Sequence, residues 1–177
     1  MKPKRSYNRF YWPLALSGFA ILLEQQFQNG VLGQYPDAEF ELATFALASS
    51  SFQLVNAMLV FIPQMVAVLA RTPRDRAMCY RFAVGAGLLL SLPLLIMGYT
   101  TPGAAFLRWW LNVPAAQLPA VVRYLQWLAP LAVINALRHY FTGVHVLAER
   151  TRTVTWINVV HLCLLVSVLL TGLNLGW

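Results

Sequence analysis

The stretch ATFALASSSFQLVNAMLVFIPQMVAVL, residues 43–69, runs for 27 residues without a charged side chain. As an α-helix, a segment needs about 20 apolar residues to cross the hydrocarbon core of a bilayer, so this one is long enough to cross with tilt. Four further apolar runs flank it, at about 10–33, 82–99, 119–147 and 153–173. Tyr11 and Trp12 open the first run, and Tyr80 and Tyr99 bracket the third, where aromatic side chains anchor spans at the headgroup level. Between the third and fourth runs, Phe106, Leu107, Trp109 and Trp110 surround Arg108. That pattern predicts a loop with a short interfacial helix at about 103–111. The fold class expected is all-α: a polytopic membrane helix bundle of about five transmembrane helices, forming a single membrane domain over 1–177.

Composition supports the membrane as solvent. The chain is 59% hydrophobic and 11% charged, whereas an ordinary soluble domain carries roughly a quarter charged residues. A net charge of +7 would raise the question of nucleic acid in a soluble protein. Here the basic residues sit in connectors between apolar runs, so no nucleic-acid partner is expected. With the N-terminus inside, Lys2, Lys4, Arg5, Arg9, Arg71, Arg74, Arg76, Arg81, Arg150 and Arg152 face the cytoplasm, against Arg108 and Arg123 outside. Ten against two satisfies the positive-inside rule. The connector at 33–41 holds Asp37, Glu39 and Glu41 and no basic residue. An odd number of spans leaves Trp177 outside. A signal peptide is the rival reading of the N-terminus, but no small-x-small cleavage site follows the first run. The expected location is a plasma or bacterial inner membrane.

Ionisable groups cost at least a few kcal/mol in hydrocarbon, so those present should face a bundle interior or a water-filled cavity. On the first run Ser17, Glu24, Gln25 and Gln28 share a helical face, and Glu24 lies about 18 Å along the helix from Trp12. The second run carries Ser49, Gln53 and Asn56, then Gln64, with Pro63 expected to kink the helix. The fourth offers Asn135, Arg138, His139, Thr142 and His145, and the fifth Asn158 and His161. These polar stripes predict a hydrophilic interior. For the amides and hydroxyls the competing role is glue between helices. For Glu24 the alternatives are an ion-pairing or functional role and exposure at the outer interface. For Arg138 they are snorkelling to the inner headgroups and lining a substrate path. No metal-ligand spacing links His139, His145 and His161, and Cys79 and Cys163 read as plain thiols. No nucleophile elbow, phosphate loop or paired carboxylates occur, so no enzyme and no cofactor are expected.

The sequence also resembles a known family. Tyr11-Trp12-Pro13-Leu14, Glu24-Gln25 followed by Asn29-Gly30, Arg74-Asp75-Arg76, Asn112-Val113-Pro114, Tyr124-Leu125, Thr142-Gly143 and Arg150-Thr151-Arg152 are similar to the progressive ankylosis protein family. That family is a branch of the multidrug and toxic compound extrusion (MATE) transporters within the flippase superfamily. The resemblance implies a carrier of two six-helix bundles working by alternating access, exporting anionic metabolites such as pyrophosphate, citrate or nucleotides. It places Glu24, Gln25 and Asn29 on the cavity wall. The chain covers one bundle at most and stops where the family continues into a sixth helix. The expectation is therefore an incomplete MATE-type repeat, a half-carrier acting with a second bundle as homodimer or separate half, or a truncated product.

Three functions follow as expectations. In the first, the half-carrier moves a small solute, with Glu24 coupling a proton or cation, Gln25, Gln28, Asn29, Gln53, Asn56, Asn135, Asn158 and His161 lining the path, and Arg138 with His139 attracting anions. The second is a non-transporting scaffold or inactive remnant. The third, an enzyme acting on lipid, lacks the inward acid pair or His-Asp couple such chemistry would need.

Overall fold

The structure, a computed structural model, describes residues 7–175, with the side chains of Tyr7, Asn8, Arg9, Phe10, Leu14, Ser17 and Leu175 left aside. Lys2, Lys4 and Arg5 lie outside the described residues, and so does the Ser17 side chain. Among the described residues there are seven helices and no strand: α1 Tyr7–Leu32, α2 Ala38–Ala57, α3 Ile62–Leu69, α4 Pro73–Tyr99, α5 Thr101–Trp110, α6 Leu118–Leu147 and α7 Thr151–Leu175. Four are long and apolar enough to cross a membrane: the α2–α3 rod Ala38–Leu69, α4, α6 and α7 over Thr151–Asn174. α1 is 26 residues long, about 39 Å by its rise, but is not among them. Its C-terminal third is diluted by Glu24, Gln25, Gln26, Gln28 and Asn29.

The rod breaks just ahead of Pro63. A proline lacks the N–H that would bond the carbonyl four residues back, and its ring crowds that carbonyl. Here the orphaned group is Leu59 O, which instead accepts from Ile62 N at 3.0 Å. The same three-residue pattern runs through Met58 N to Val55 O at 3.1 Å and Leu59 N to Asn56 O at 2.9 Å. Residues 58–61 thus form a tightened turn, and α3 restarts with Pro63 in its first turn. The break thus keeps the Leu59 carbonyl and the N–H groups of Met58, Leu59, Val60 and Ile62 paired within the chain.

The chain divides into two compact units, one formed by α1 and α7, the other by Glu39–Val144. In the first, Thr155 Oγ1 donates to Pro13 O at 2.6 Å, and His161 meets Glu24 eleven residues further along α1. Both contacts advance together along the two helices, so α1 and α7 run parallel. Pro13, Ala20 and Val31 on α1 and Thr151, Val154, Asn158 and Gly172 on α7 are buried. Their spacings of 7 and 11 residues on α1 and of 3, 4 and 14 on α7 return to one stripe on each helix.

In the second unit, Tyr124 Oη donates to Glu41 at 3.4 Å and Asn135 Nδ2 to Asn56 Oδ1 at 3.2 Å, so the rod and α6 run parallel. α4 runs opposite to both: Gln126 Nε2 donates to Gly98 O at 2.7 Å, whereas Tyr140 Oη reaches Arg76 O at 3.2 Å at the other end. The core gathers Ala48, Phe52, Val55, Leu94, Leu107, Val121, Leu125 and Ala129. Thr100 forms the corner between α4 and α5, donating to Ile96 O at 2.7 Å and accepting from Gly103 N at 3.1 Å. α5 buries Leu107 while Trp109 and Trp110 stay exposed.

Small residues let these helices approach. α4 buries Cys79, Ala83, Gly87, Ser91 and Gly98, and α6 buries Ala129, Ala132, Ala136 and Gly143. A Cβ placed at Gly87 would stand 2.9 Å from Ala136 Cβ and 3.0 Å from Val133 Cα. At Gly143 it would stand 2.6 Å from Val66 Cβ and 2.7 Å from Pro63 O, where α6 crosses α3. The two glycines hold seams that a larger side chain would force apart. Gly85, two residues away on α4, has open space around it. Gly87→Leu is expected to destabilise the protein by about 1–3 kcal/mol through overpacking. Gly85→Ala should be neutral or stabilising by up to about 1 kcal/mol, because alanine is the better helix former. Thermal unfolding in detergent checks both, and a Gly87→Leu variant as stable as the parent would contradict the close seam.

Candidate functional site

Glu24 sits on α1 and His161 on α7, with His161 Nε2 3.4 Å from Glu24 Oε1. The glutamate side chain is 21% exposed and the histidine 49%. α1 presents Glu24 to α7 because Ala20, Glu24, Gln28 and Val31 follow one another at offsets of four, four and three along the buried stripe. His161 stands one turn beyond the buried Asn158 on α7. Glu24 lies about 12 Å from the end of α1 at Leu32, and His161 about 15 Å from the start of α7 at Thr151. The sequence marked both residues as candidates but did not join them.

A second polar contact lies in the Glu39–Val144 unit. Asn56 is the last residue but one of α2, next to the break, and its side-chain oxygen accepts from Asn135 five residues beyond Pro130 on α6. Nearby backbone pairing is also altered, since Asn56 O accepts from Leu59 N instead of a donor four residues on. The arrangement is a discontinuous helix with an amide pair beside the discontinuity.

The remaining candidates are not drawn into one cluster. Gln28 is half-buried on α1, but Gln25 and Asn29 are exposed. Gln53 and Gln64 are exposed on the rod, and Ser49 is half-buried with its hydroxyl donating to Ala46 O at 3.2 Å. Arg138 and His139 are half-buried in the C-terminal half of α6, where Arg138 O accepts from Thr142 Oγ1 at 2.8 Å. Asn158 is buried on α7. Many hydroxyls close onto their own helix: Ser51 onto Leu47 O, Ser91 onto Leu88 O, Ser167 onto Cys163 O and Thr171 onto Ser167 O. No group of three His, Cys, Asp or Glu able to hold a metal occurs among the described residues.

The small residues of the α4–α6 seam went unread in the sequence, although Cys79, Ala83, Gly87 and Ser91 recur every fourth position and would have shown it. The parallel alignment of α1 with α7 had no such signal, because spacing within one helix does not say which other helix it meets. The chain matches no known protein family, curated protein or solved structure.

The amide pair can be tested by itself. Hydrogen bonds between membrane helices average about 0.6 kcal/mol and reach about 1.7. Asn56→Ala, Asn135→Ala and the double variant, measured by unfolding in detergent, are expected to show a coupling energy in that range. Strictly additive effects would mean that the two amides do not stabilise each other.

Proposed function

We propose that the chain is an integral membrane protein in which α1 forms a fifth crossing, with the N-terminus on the cytoplasmic side. We propose further that it serves as one bundle of a transporter for an anionic or amphipathic small solute. The observation that carries this reading is the contact between Glu24, in the last third of α1, and His161, near the middle of the apolar α7.

The parallel run of α1 and α7 supports the fifth crossing. Between them the chain passes through three apolar helices, the α2–α3 rod, α4 and α6. An odd number of crossings is what a chain needs to leave one parallel helix on the far side and begin the next on the near side, and three is odd. Large apolar side chains exposed along the helices, among them Leu89, Trp127, Leu164 and Val168, suit a lipid solvent. In the Glu39–Val144 unit, Arg71, Arg74, Arg76 and Arg81 gather at one end and Glu39 and Glu41 at the other. The positive-inside rule makes the arginine end cytoplasmic.

The couple can store one proton. As a carboxylate beside an imidazolium, or as a carboxylic acid beside a neutral imidazole, Glu24 and His161 together hold one proton and carry no net charge. Losing it leaves one negative charge in an apolar medium, at a cost of at least a few kcal/mol. Proton loss therefore favours a conformation that gives Glu24 water, a cation or another donor, which is the coupling that alternating access requires. The interrupted rod with Asn56 and Asn135 would offer backbone and amide contacts to solute, and Arg138 with His139 attraction for its negative charge. A partner bundle, from a second copy or a separate chain, completes such a carrier. The resemblance to the progressive ankylosis and MATE transporters belongs to the same reading.

One observation favours a second reading, a non-transporting membrane scaffold. Ser49, Ser51, Ser91, Thr142, Ser167 and Thr171 all bond carbonyls of their own helices, as they would if polarity served only packing. Proteoliposome flux separates the two. With labelled pyrophosphate and citrate as probes, the parent is expected to show pH-dependent flux. Glu24→Gln and His161→Gln should each reduce it at least about tenfold with insertion unchanged, and the double variant should be no worse than the singles, because the pair acts as a unit. Flux that survives both substitutions would remove the couple from the mechanism, and its absence in the parent would leave the scaffold.

A further inference from the structure

The turn between α3 and α4 and the first turns of α4 carry four exposed arginines in eleven residues, Arg71 in the turn and Arg74, Arg76 and Arg81 on α4. Two of them are fastened to the backbone: Arg71 Nε donates to Val68 O and Arg76 Nε to Ala70 O, both at 3.2 Å. Each bond uses the ε N–H and holds the guanidinium against the carboxyl end of α3, leaving the terminal amino groups for an oxyanion. The only acid in the segment is Asp75, and it is already engaged. Its Oδ2 accepts from Thr72 N at 3.2 Å and from Thr72 Oγ1 at 2.7 Å, closing a capping box at the start of α4. Among the described residues no carboxylate pairs with any of the four arginines. The cluster therefore keeps its positive charge.

Its surroundings say what kind of anion fits. Met78, Tyr80 and Phe82 follow on α4 and are 61%, 42% and 47% exposed. Met78 and Phe82 share the face of α4 that carries Arg74 and Arg81, while Tyr80 lies on the opposite side with Arg76 and packs edge-on against Tyr140. Exposed apolar side chains on the same face as arginines without a carboxylate partner are the profile of the hydrocarbon boundary beneath a layer of headgroups. A lipid meets both at once, acyl chain on the apolar side chains and phosphate on the guanidiniums, whereas a free anion would use the arginines alone.

We infer that this arginine turn is a docking site for the phosphate of an anionic phospholipid in the cytoplasmic leaflet. The inference rests on the membrane-spanning reading above but not on transport. The tether of Arg71 and Arg76 gives the site a fixed geometry, and Arg74 and Arg81 add charge around it.

Binding of phosphatidylglycerol, phosphatidylcholine and inorganic phosphate to the whole protein in mild detergent tests it, read by thermal shift and by native mass spectrometry of retained lipid. Phosphatidylglycerol should raise the unfolding midpoint and remain bound, and the other two should not. Arg74→Gln with Arg81→Gln should weaken the apparent affinity by about fivefold per arginine removed. Both side chains are exposed and outside the backbone tethers, so the fold is retained; an unchanged midpoint without lipid verifies this. Equal binding of phosphatidylcholine, equal stabilisation by inorganic phosphate, or unaltered phosphatidylglycerol affinity in a variant lacking all four arginines would each overturn the site. A protein freely soluble without detergent would instead overturn the membrane reading beneath it.

Discussion

In the membrane setting proposed for this chain, a solvent without hydrogen bonds obliges every peptide group to find its partner within the chain, and the rest of the account follows from that constraint. It explains why long helices account for the apolar runs and why the one break in the α2–α3 rod is repaired locally. Pro63 would strand the carbonyl of Leu59, and Ile62 N takes it up at 3.0 Å. The hydroxyls of Ser51, Ser91, Thr142, Ser167 and Thr171 turn back onto carbonyls of their own helices, and Asn135 donates to Asn56. An acid in such a setting needs a counterpart, and Glu24 has one in His161.

Packing obeys the second half of the constraint. In that setting there is little hydrophobic force to gain between helices, so cohesion comes from close contact and from the few polar bonds. Gly87 against Ala136 and Val133, and Gly143 against Pro63 and Val66, bring backbones together where any larger residue would separate them. Gly143 meets α3 in its first turn, next to the interruption that Asn56 borders. The α6 surface that positions Asn135 therefore also holds the broken rod in place.

Much of the architecture was legible in the residues. The uncharged stretch 43–69, the interruption at Pro63 and the tryptophan-bearing segment before Leu118 each map onto a helix or a break at that place. Glu24 was legible as a group requiring an explanation, because its charge stands out in apolar surroundings. Its partner was not, since α7 is more than a hundred residues away in the chain and no periodicity within α1 points to it. Helical offsets also left Gln25 ambiguous: it belongs to the face of Glu24 and Gln28 by spacing, yet the seam with α7 is narrow and leaves it exposed. Gln53 is exposed for a similar reason, because Phe52, Val55 and Leu59 take the buried side of the rod. The first run illustrates the limit of apolarity as a signal. The polar cluster that makes α1 interesting is also what sets it apart from the four helices apolar enough to cross a membrane.

The most direct test of this account is the sidedness of the connectors around the α2–α3 rod. Single cysteines at Asp37 and Arg74, placed in a background with Cys79 and Cys163 replaced by alanine, can be probed with a membrane-impermeant maleimide in intact cells. The account predicts labelling at position 37 from outside and at position 74 only after permeabilisation. Labelling of both from the same side would contradict it.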